Sequence, residues 1–246
     1  MVYPYHMNLS KKVVVITGGS KGLGRAMAKI LKEKQATVIV CSTDKAALKS
    51  TADELQITAF PCDVTDEAQV QEVADKTVQE FGMIDIWINN AGMWLPTIPL
   101  EETDMEKVQK LFQVNVFGTI HGSRAALRFM KKQGNGTIMN ISSITAFDGM
   151  SGSSGLPYIA SKYALRGLTN TLRDELKNTS INVIGVYPGG FKSELFNHAE
   201  PSSFSQFMEV DAVARKIIEN LEQITPTTQL VIPRPGQKMS GELGNS

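Results

Sequence analysis

The feature that most limits what this chain can fold into is a rhythm. Short runs rich in β-branched residues alternate with helix-length stretches over nearly its whole length. The runs are K-V-V-V-I-T (residues 12–17), A-T-V-I-V-C-S (36–42), 57–60, I-D-I-W-I-N (84–89), T-I-M-N-I-S (137–142), I-N-V-I-G-V-Y (181–187) and 229–232. Several are apolar nearly throughout, as strands covered on both faces are. In the first intervening stretch Leu23, Met27, Ile30 and Leu31 share one helical face. Asp66 is placed to cap a helix reaching about Phe81, with Val70, Val73, Ala74 and Val78 inward. Sustained strand–helix alternation predicts an α/β fold: a doubly wound parallel sheet of about seven strands with helices on both faces. The 246 residues can bury one large core, and no repeat or linker divides them. Residues 9–246 therefore read as one domain and residues 1–8 as a tail.

In such sheets ligands bind beyond the carboxyl ends of the strands. After the first run comes T-G-G-S-K-G-L-G, residues 17–24, with Gly18, Gly22 and Gly24 in GxxxGxG spacing. Missing side chains allow a tight turn and let a pyrophosphate approach backbone N–H groups. The helix that follows offers the positive end of its dipole. Glycines alone would also suit an ordinary strand-to-helix turn; the strand–turn–helix context favours the phosphate reading.

A second constellation carries chemistry. Tyr158 and Lys162 stand four residues apart, which puts both on one face of a helix. A phenol with an ordinary pKa near ~10 is a sluggish acid–base at neutral pH. A nearby ammonium favours phenolate, so a lowered Tyr158 pKa is expected, suiting it to proton donation or acceptance. Y-x-x-x-K by itself is common as a helix surface pair; here it follows the Gly/Ser-rich loop Gly149–Gly155, with Ser143 ending a strand 15 residues earlier.

Together these segments resemble, in order, the motifs of the short-chain dehydrogenases/reductases, and the resemblance runs from about residue 9 to 232. It implies a single-domain Rossmann-type fold and an NAD(P)-dependent oxidoreductase moving a hydride between the cofactor and a ketone or secondary alcohol. By the resemblance, Ser20, Lys21 and Leu23 join the three glycines at the cofactor. Asp63, with Val64, meets the adenine, and Asn90, Ala91 and Gly92 of N-N-A-G lie beside the ribose. Pro188 and Gly189 follow the sixth strand as the family's P-G does, and Ser193 sits where relatives contact the nicotinamide amide. The catalytic set is Asn115, Ser143, Tyr158 and Lys162. Ser143 steadies the substrate oxygen, Lys162 also holds the nicotinamide ribose, and Asn115 holds a water that passes protons through Lys162. A catalytically idle dinucleotide sensor or scaffold on the same fold is the rival reading, and the intact set of four speaks against it.

NADP is favoured over NAD. The place of the family's ribose-gripping acid falls on the neutral Ser42, followed by Thr43, and Lys21 could pair with a 2′-phosphate. The opposing candidate, Asp44, lies past the strand end and reads better as the cap of a helix beginning at Lys45. Residues 191–209 read as a lid. Met93, Trp94, Phe147, Met150, Leu156, Phe191, Leu195 and Phe196 could line an apolar pocket or pack in the core. The ending Q-L-V-I-P-R-P-G lacks the family's frequent final G-G, which leaves homodimer and homotetramer both open. The two long helices, about 104–131 and 158–177, are the expected contact.

Composition narrows the classes. Lys plus Arg and Asp plus Glu are both 25, so the formal charge is zero and the basic footprint of many nucleic-acid binders is missing. No apolar stretch approaches the ~20 residues of a membrane span. The start M-V-Y-P-Y-H-M-N does not read as a secretory signal. Cys41 and Cys62 suggest neither a disulfide framework nor a metal site, and His6, His121 and His198 form no ligand-spaced cluster. A cytoplasmic enzyme with a small-molecule substrate, no metal, no nucleic acid and no membrane is the expectation.

Overall fold

A computed structural model describes residues 7–147, 155–196, 201 and 203–237. Seven strands form one parallel sheet: β1 (Val13–Thr17), β2 (Thr37–Ser42), β3 (Thr58–Pro61), β4 (Ile86–Asn89), β5 (Gly136–Ile141), β6 (Ile181–Pro188) and β7 (Gln229–Ile232). Their spatial order is β3-β2-β1-β4-β5-β6-β7. The order reverses between β1 and β4, where Ile16 pairs with Val40 on one side and Ile88 on the other. A crevice opens at such a reversal.

Helices α1 (Gly22–Glu33), α2 (Lys45–Leu55), α3 (Glu67–Phe81), α4 (Met105–Phe112), α5 (Gly118–Gln133), α6 (Leu156–Leu176) and α7 (Val210–Leu221) cover both faces. The two-residue period of each strand divides the core. Val14, Ile16, Val38 and Val40 pack with Met27 and Leu31 of α1 and Ile217 and Leu221 of α7. Val13, Val15, Ile39 and Trp87 pack with Val70 and Val73 of α3, Met130 of α5 and Leu172 of α6. Leu23, Met27 and Leu31 are buried and Ile30 partly so, which matches the amphipathic stripe read from the sequence.

Local chemistry sets the helix starts. Asp66 accepts from the N–H groups of Ala68 and Gln69, and Asp44 from Ala47, so both acids cap the helices expected of them. The expected continuous helix over 104–131 is instead three pieces: α4, a π-helical turn at Gln113–Phe117, and α5. The wide turn swings Asn115 inward, where it is fully buried.

Near the tail, the N–H of Met7 donates to Glu222 and Leu9 is buried in the core. Residues 1–6, with His6, lie outside the described residues, as do residues 149–154 of the Gly/Ser-rich loop (Met150 among them) and residues 197–200 and 202 of the expected lid. Among the described residues no helix is long and apolar enough to cross a membrane, and no three His, Cys, Asp or Glu side chains group as metal ligands.

Candidate active site

At the carboxyl ends of the strands lies a cleft of about 820 Å³. Its first end is the turn between β1 and α1. Gly18 has φ of +64°, a conformation open to glycine at little cost. A Cβ on Gly24 would stand 2.4 Å from the Gly18 carbonyl oxygen, so the helix can pack this close only without a side chain there. Lys21, at the N-cap of α1, makes no side-chain cap, and Lys21, Gly22 and Leu23 line the cleft. The helix N-terminus therefore faces open space with N–H groups that no side chain caps, which suits an anion.

The loop after β4 is stapled to this turn. The side-chain amide of Asn90 donates to the carbonyls of Thr17 (2.9 Å) and Gly18 (3.1 Å), and the N–H groups of Asn90 and Ala91 donate to Thr17 Oγ1. Asn90, Ala91 and Gly92 line the cleft beside Gly18.

The wall further along holds Ser143, Tyr158 and Lys162. Ser143, just past β5, accepts from the N–H of Thr145 (3.2 Å) and from its hydroxyl (3.0 Å), which fixes its rotamer. Tyr158 and Lys162, in the first two turns of α6, are buried and line the same wall. Ser143 stands beside Tyr158 on this wall and lowers its phenol slightly. Lys162 Nζ lies 5.4 Å from the Tyr158 ring centroid and donates to the carbonyl of Ile141 at 3.4 Å.

One expectation needs correction here. Burial pushes the Tyr158 phenol up to about 12, against a smaller lowering by Ser143, rather than down. Burial also pulls Lys162 down to about 8. Proximity on the helix is as read, but burial dominates both groups, and each resists charging.

Asn115 lies behind Gly92. Its Oδ1 accepts from the N–H of Met93 (2.7 Å), and its Nδ2 donates to the Met93 carbonyl (3.0 Å) and to Ser161 Oγ (3.0 Å). Both amide hydrogens are thus engaged by protein atoms.

Past the ends of β1 and β2 the sequence posed Lys21 and Asp44 as rivals, yet they form an ion pair of 2.6 Å. The pair raises the Lys21 ammonium and lowers the Asp44 carboxyl. Ser20 Oγ and Ser42 Oγ are 2.8 Å apart, and Ser42 accepts from the Asp44 N–H. Thr43 is exposed. Asp63 accepts from the N–H and hydroxyl of Thr65 and lies 3.6 Å from Lys110. Val64 is buried, and its carbonyl meets His121.

Pro188, Gly189 and Ser193 also line the cleft; Ser193 lies over the glycine turn, where a Cβ on Gly22 would stand 3.4 Å from its Cβ, and its Oγ is buried with no hydrogen-bond partner. Of the apolar candidates, Met93, Trp94, Phe191, Leu195 and Phe196 line it as well. Phe147 packs instead against Tyr187 in the core, and Leu156 is exposed. Glu194 and Arg234 in the cleft wall were missed by the sequence reading. The available signal for Arg234 was position alone, two residues past a parallel strand at its carboxyl end.

Fold and site define a Rossmann-type protein with a glycine turn at one end of its cleft and a Ser–Tyr–Lys wall at the other. Residues 12–203 match the short chain dehydrogenase family, and the chain belongs to it. It is similar to the uncharacterized oxidoreductase YusZ of Bacillus subtilis, 33% identical over 83% of this chain and 72% of that one. It is likewise similar to the L-fucose dehydrogenase of Mus musculus, 34% identical over 79% and 70%. Among solved structures it resembles the Pseudomonas aeruginosa RhlG/NADP active-site complex, with TM-score 0.82, 27% identity and coverage of 94% and 97%. The Brucella melitensis 3-ketoacyl-(acyl-carrier-protein) reductase complexed with NADH is similar at TM-score 0.82, 25% identity, 92% and 98%.

Proposed function

We propose that the chain is an oxidoreductase that moves a hydride between a nicotinamide dinucleotide, NADP in preference to NAD, and a ketone or secondary alcohol. The observation that carries this is the joint burial of Ser143, Tyr158 and Lys162 on the wall of a cleft whose other end is the glycine turn. The residues present suit such a cofactor. The uncapped α1 N-terminus offers donors for a pyrophosphate, and the partnerless Ser193 hydroxyl suits a carboxamide. Solved relatives are complexes with NADP and with NADH.

The cofactor, when bound, supplies or accepts the hydride. The protein's part is to bind, orient and move a proton. Ser143 donates to the substrate carbonyl oxygen. Tyr158 gives its proton to that oxygen as negative charge develops on it, or takes one from an alcohol. Lys162 stabilises the phenolate left behind, and its depressed pKa of about 8 keeps the ammonium poised near neutral pH. Asn115 holds the Met93 loop and Ser161 against the site.

Supporting NADP, Asp44 is already engaged at both oxygens, Oδ1 by the Ala47 N–H and Oδ2 by Lys21. It is poorly free to grip a ribose 2′-hydroxyl. The exposed Lys21–Asp44 pair is a weak one, so Lys21 can turn to a 2′-phosphate.

Nicotinamide absorbance with a panel of ketones and alcohols tests the reading, alongside Tyr158→Phe. The variant should bind cofactor normally while kcat falls about 10²–10⁴-fold. Near-normal turnover in the variant would remove Tyr158 from the role, and no turnover of any panel member would favour the idle binding protein.

A further inference from the structure

Two cleft-lining residues, Ser193 and Arg234, carry a buried side-chain polar atom with no hydrogen-bond partner, Oγ and Nη1. The Ser193 hydroxyl has a proposed partner in the cofactor amide. Arg234 Nη1 has none, although a buried donor left unmatched is costly, and a charged one more so. The other cleft cations are answered. Lys21 pairs with Asp44, and Lys162 donates to Ile141.

Arg234 is held rather than loose. Its N–H donates to Gln237 Oε1 at 3.0 Å, and the Gln237 N–H returns to its carbonyl. Its stem lies against Gly189, where a Cβ would stand 3.1 Å from Arg234 Cγ. The guanidinium carbon is 5.5 Å from the Phe207 ring centroid. Phe207 belongs to an aromatic group with Phe196 and Phe204, and Phe196 also meets Trp94. An apolar ring beside a cation excludes water from that side and strengthens its pairing with an anion.

Position says which ligand this anion belongs to. The glycine turn follows β1 and Ser42 ends β2, while Arg234 follows β7 at the opposite edge of the sheet. Four strand spacings, roughly 19 Å, separate β1 from β7. Phosphates seated at the glycine turn lie on the wrong side. Ser143 follows β5, two spacings or roughly 10 Å from β7. That gap, narrowed by the arginine stem, suits a small substrate whose oxygen meets Ser143 and Tyr158.

Resting on the hydride-transfer reading above, we propose that Arg234 recognises an oxyanion on the substrate. The substrate class is then a ketone or secondary alcohol carrying a carboxylate or phosphate a few bonds from the reacting carbon.

The test uses matched pairs with saturating cofactor: 3-oxo carboxylates against their methyl esters, and a phosphorylated hydroxyketone against its free form. The wild type should favour the charged member in kcat/KM at least tenfold, and the pair that does so tells carboxylate from phosphate. In Arg234→Met, which keeps the stem, that charged-to-neutral ratio should fall about 100-fold. Arg234→Lys should fall between and serves if the methionine variant melts early. Calorimetry of the charged ligands with cofactor-bound Tyr158→Phe, with and without Arg234→Met, reads the oxyanion site without turnover. Equal rates within every pair, or a preference that survives both Arg234 variants, would overturn the proposal while hydride transfer stands. Arg234-dependent binding with no turnover anywhere would support the oxyanion site and overturn the hydride reading. Neither turnover nor Arg234-dependent binding would overturn both.

Discussion

Replacing Lys162 with methionine should make the cofactor-free protein more stable and the enzyme inactive. Burial lowers the Lys162 ammonium from the ordinary 10.5 to about 8. At about 1.36 kcal/mol per pH unit, that gap means the folded state carries a penalty of roughly 3 kcal/mol whenever the group is charged in both states. Below pH 8 it is charged in both, so the full penalty applies at pH 7. Between 8 and 10.5 the folded state sheds its proton first. The unfolded state then binds more protons, and wild-type stability rises with pH. Above 10.5 both forms are neutral and the penalty is gone. A methionine of similar length carries no charge at any pH. The long bond to the Ile141 carbonyl is lost, a cost of about 1 kcal/mol. The net gain at pH 7 is about 2 kcal/mol, or a Tm higher by roughly 4–8 °C for a domain of this size. Between pH 7 and 9.5 the variant's advantage should shrink by about 2 kcal/mol. Scanning calorimetry of both proteins at the two pH values measures this, with turnover and cofactor affinity read on the same samples. A variant less stable than wild type at pH 7, or a difference indifferent to pH, would refute the burial argument.

Three further outcomes can be checked. Ser42→Asp and Lys21→Ala should each shift the NADP-to-NAD ratio of kcat/KM towards NAD, whereas a wild type preferring NAD tenfold, reversed by Asp44→Ala, would mean that Asp44 is the selecting acid. Residues 191–209 should act as a lid, so hydrogen exchange in the segment should slow when cofactor binds; equal exchange with and without cofactor would argue against closure. The exposed side chains of Met105, Phe117, Leu156 and Tyr163 lie on α4, the π-helical turn and α6, consistent with a homo-oligomer built on those helices. Phe117→Glu should then reduce the sedimenting mass, and an unchanged mass would remove that face from the interface.

What the sequence made legible was whatever depends on near neighbours. The strand runs are apolar enough, and the caps Asp44 and Asp66 well enough placed, that every strand and most helix starts lie within a residue or two of expectation. The glycine turn and the Tyr158–Lys162 spacing are local facts too. Illegible were the features decided at a distance. No residue within Q-V-N-V-F announces a π-helical turn; its Asn115 is engaged by Met93 and Ser161, 22 and 46 residues away. The Lys21–Asp44 pair needs β1 and β2 to be neighbours before a lysine and an acid 23 residues apart can meet. The expected lowering of the tyrosine pKa failed for the same reason, because spacing predicts who stands nearby and burial decides which term wins.

The same distance dependence explains why the core behind the site is not purely apolar. Trp87 Nε1 donates to Asn89 Oδ1 at 2.8 Å, Asn89 donates to Ser123 and Asn140, and Asn140 donates to Thr169. All these polar groups are buried. The path ties β4, β5, α5 and α6 together in one chain of directional bonds. Apolar surfaces in that position could slide by a fraction of a turn at small cost, because hydrophobic contact is non-directional. Hydrogen bonds between buried amides cannot, since each one broken leaves a desolvated group unmatched. Ser143 follows β5 and Tyr158 rides on α6, so their separation depends on how those two elements are registered. Thr169 sits eleven residues beyond Tyr158, roughly 16 Å along the helix. The network therefore fixes the geometry of the Ser143–Tyr158 pair from the far side of the core, where its polar groups are shielded from the solvent and ligands that enter the cleft.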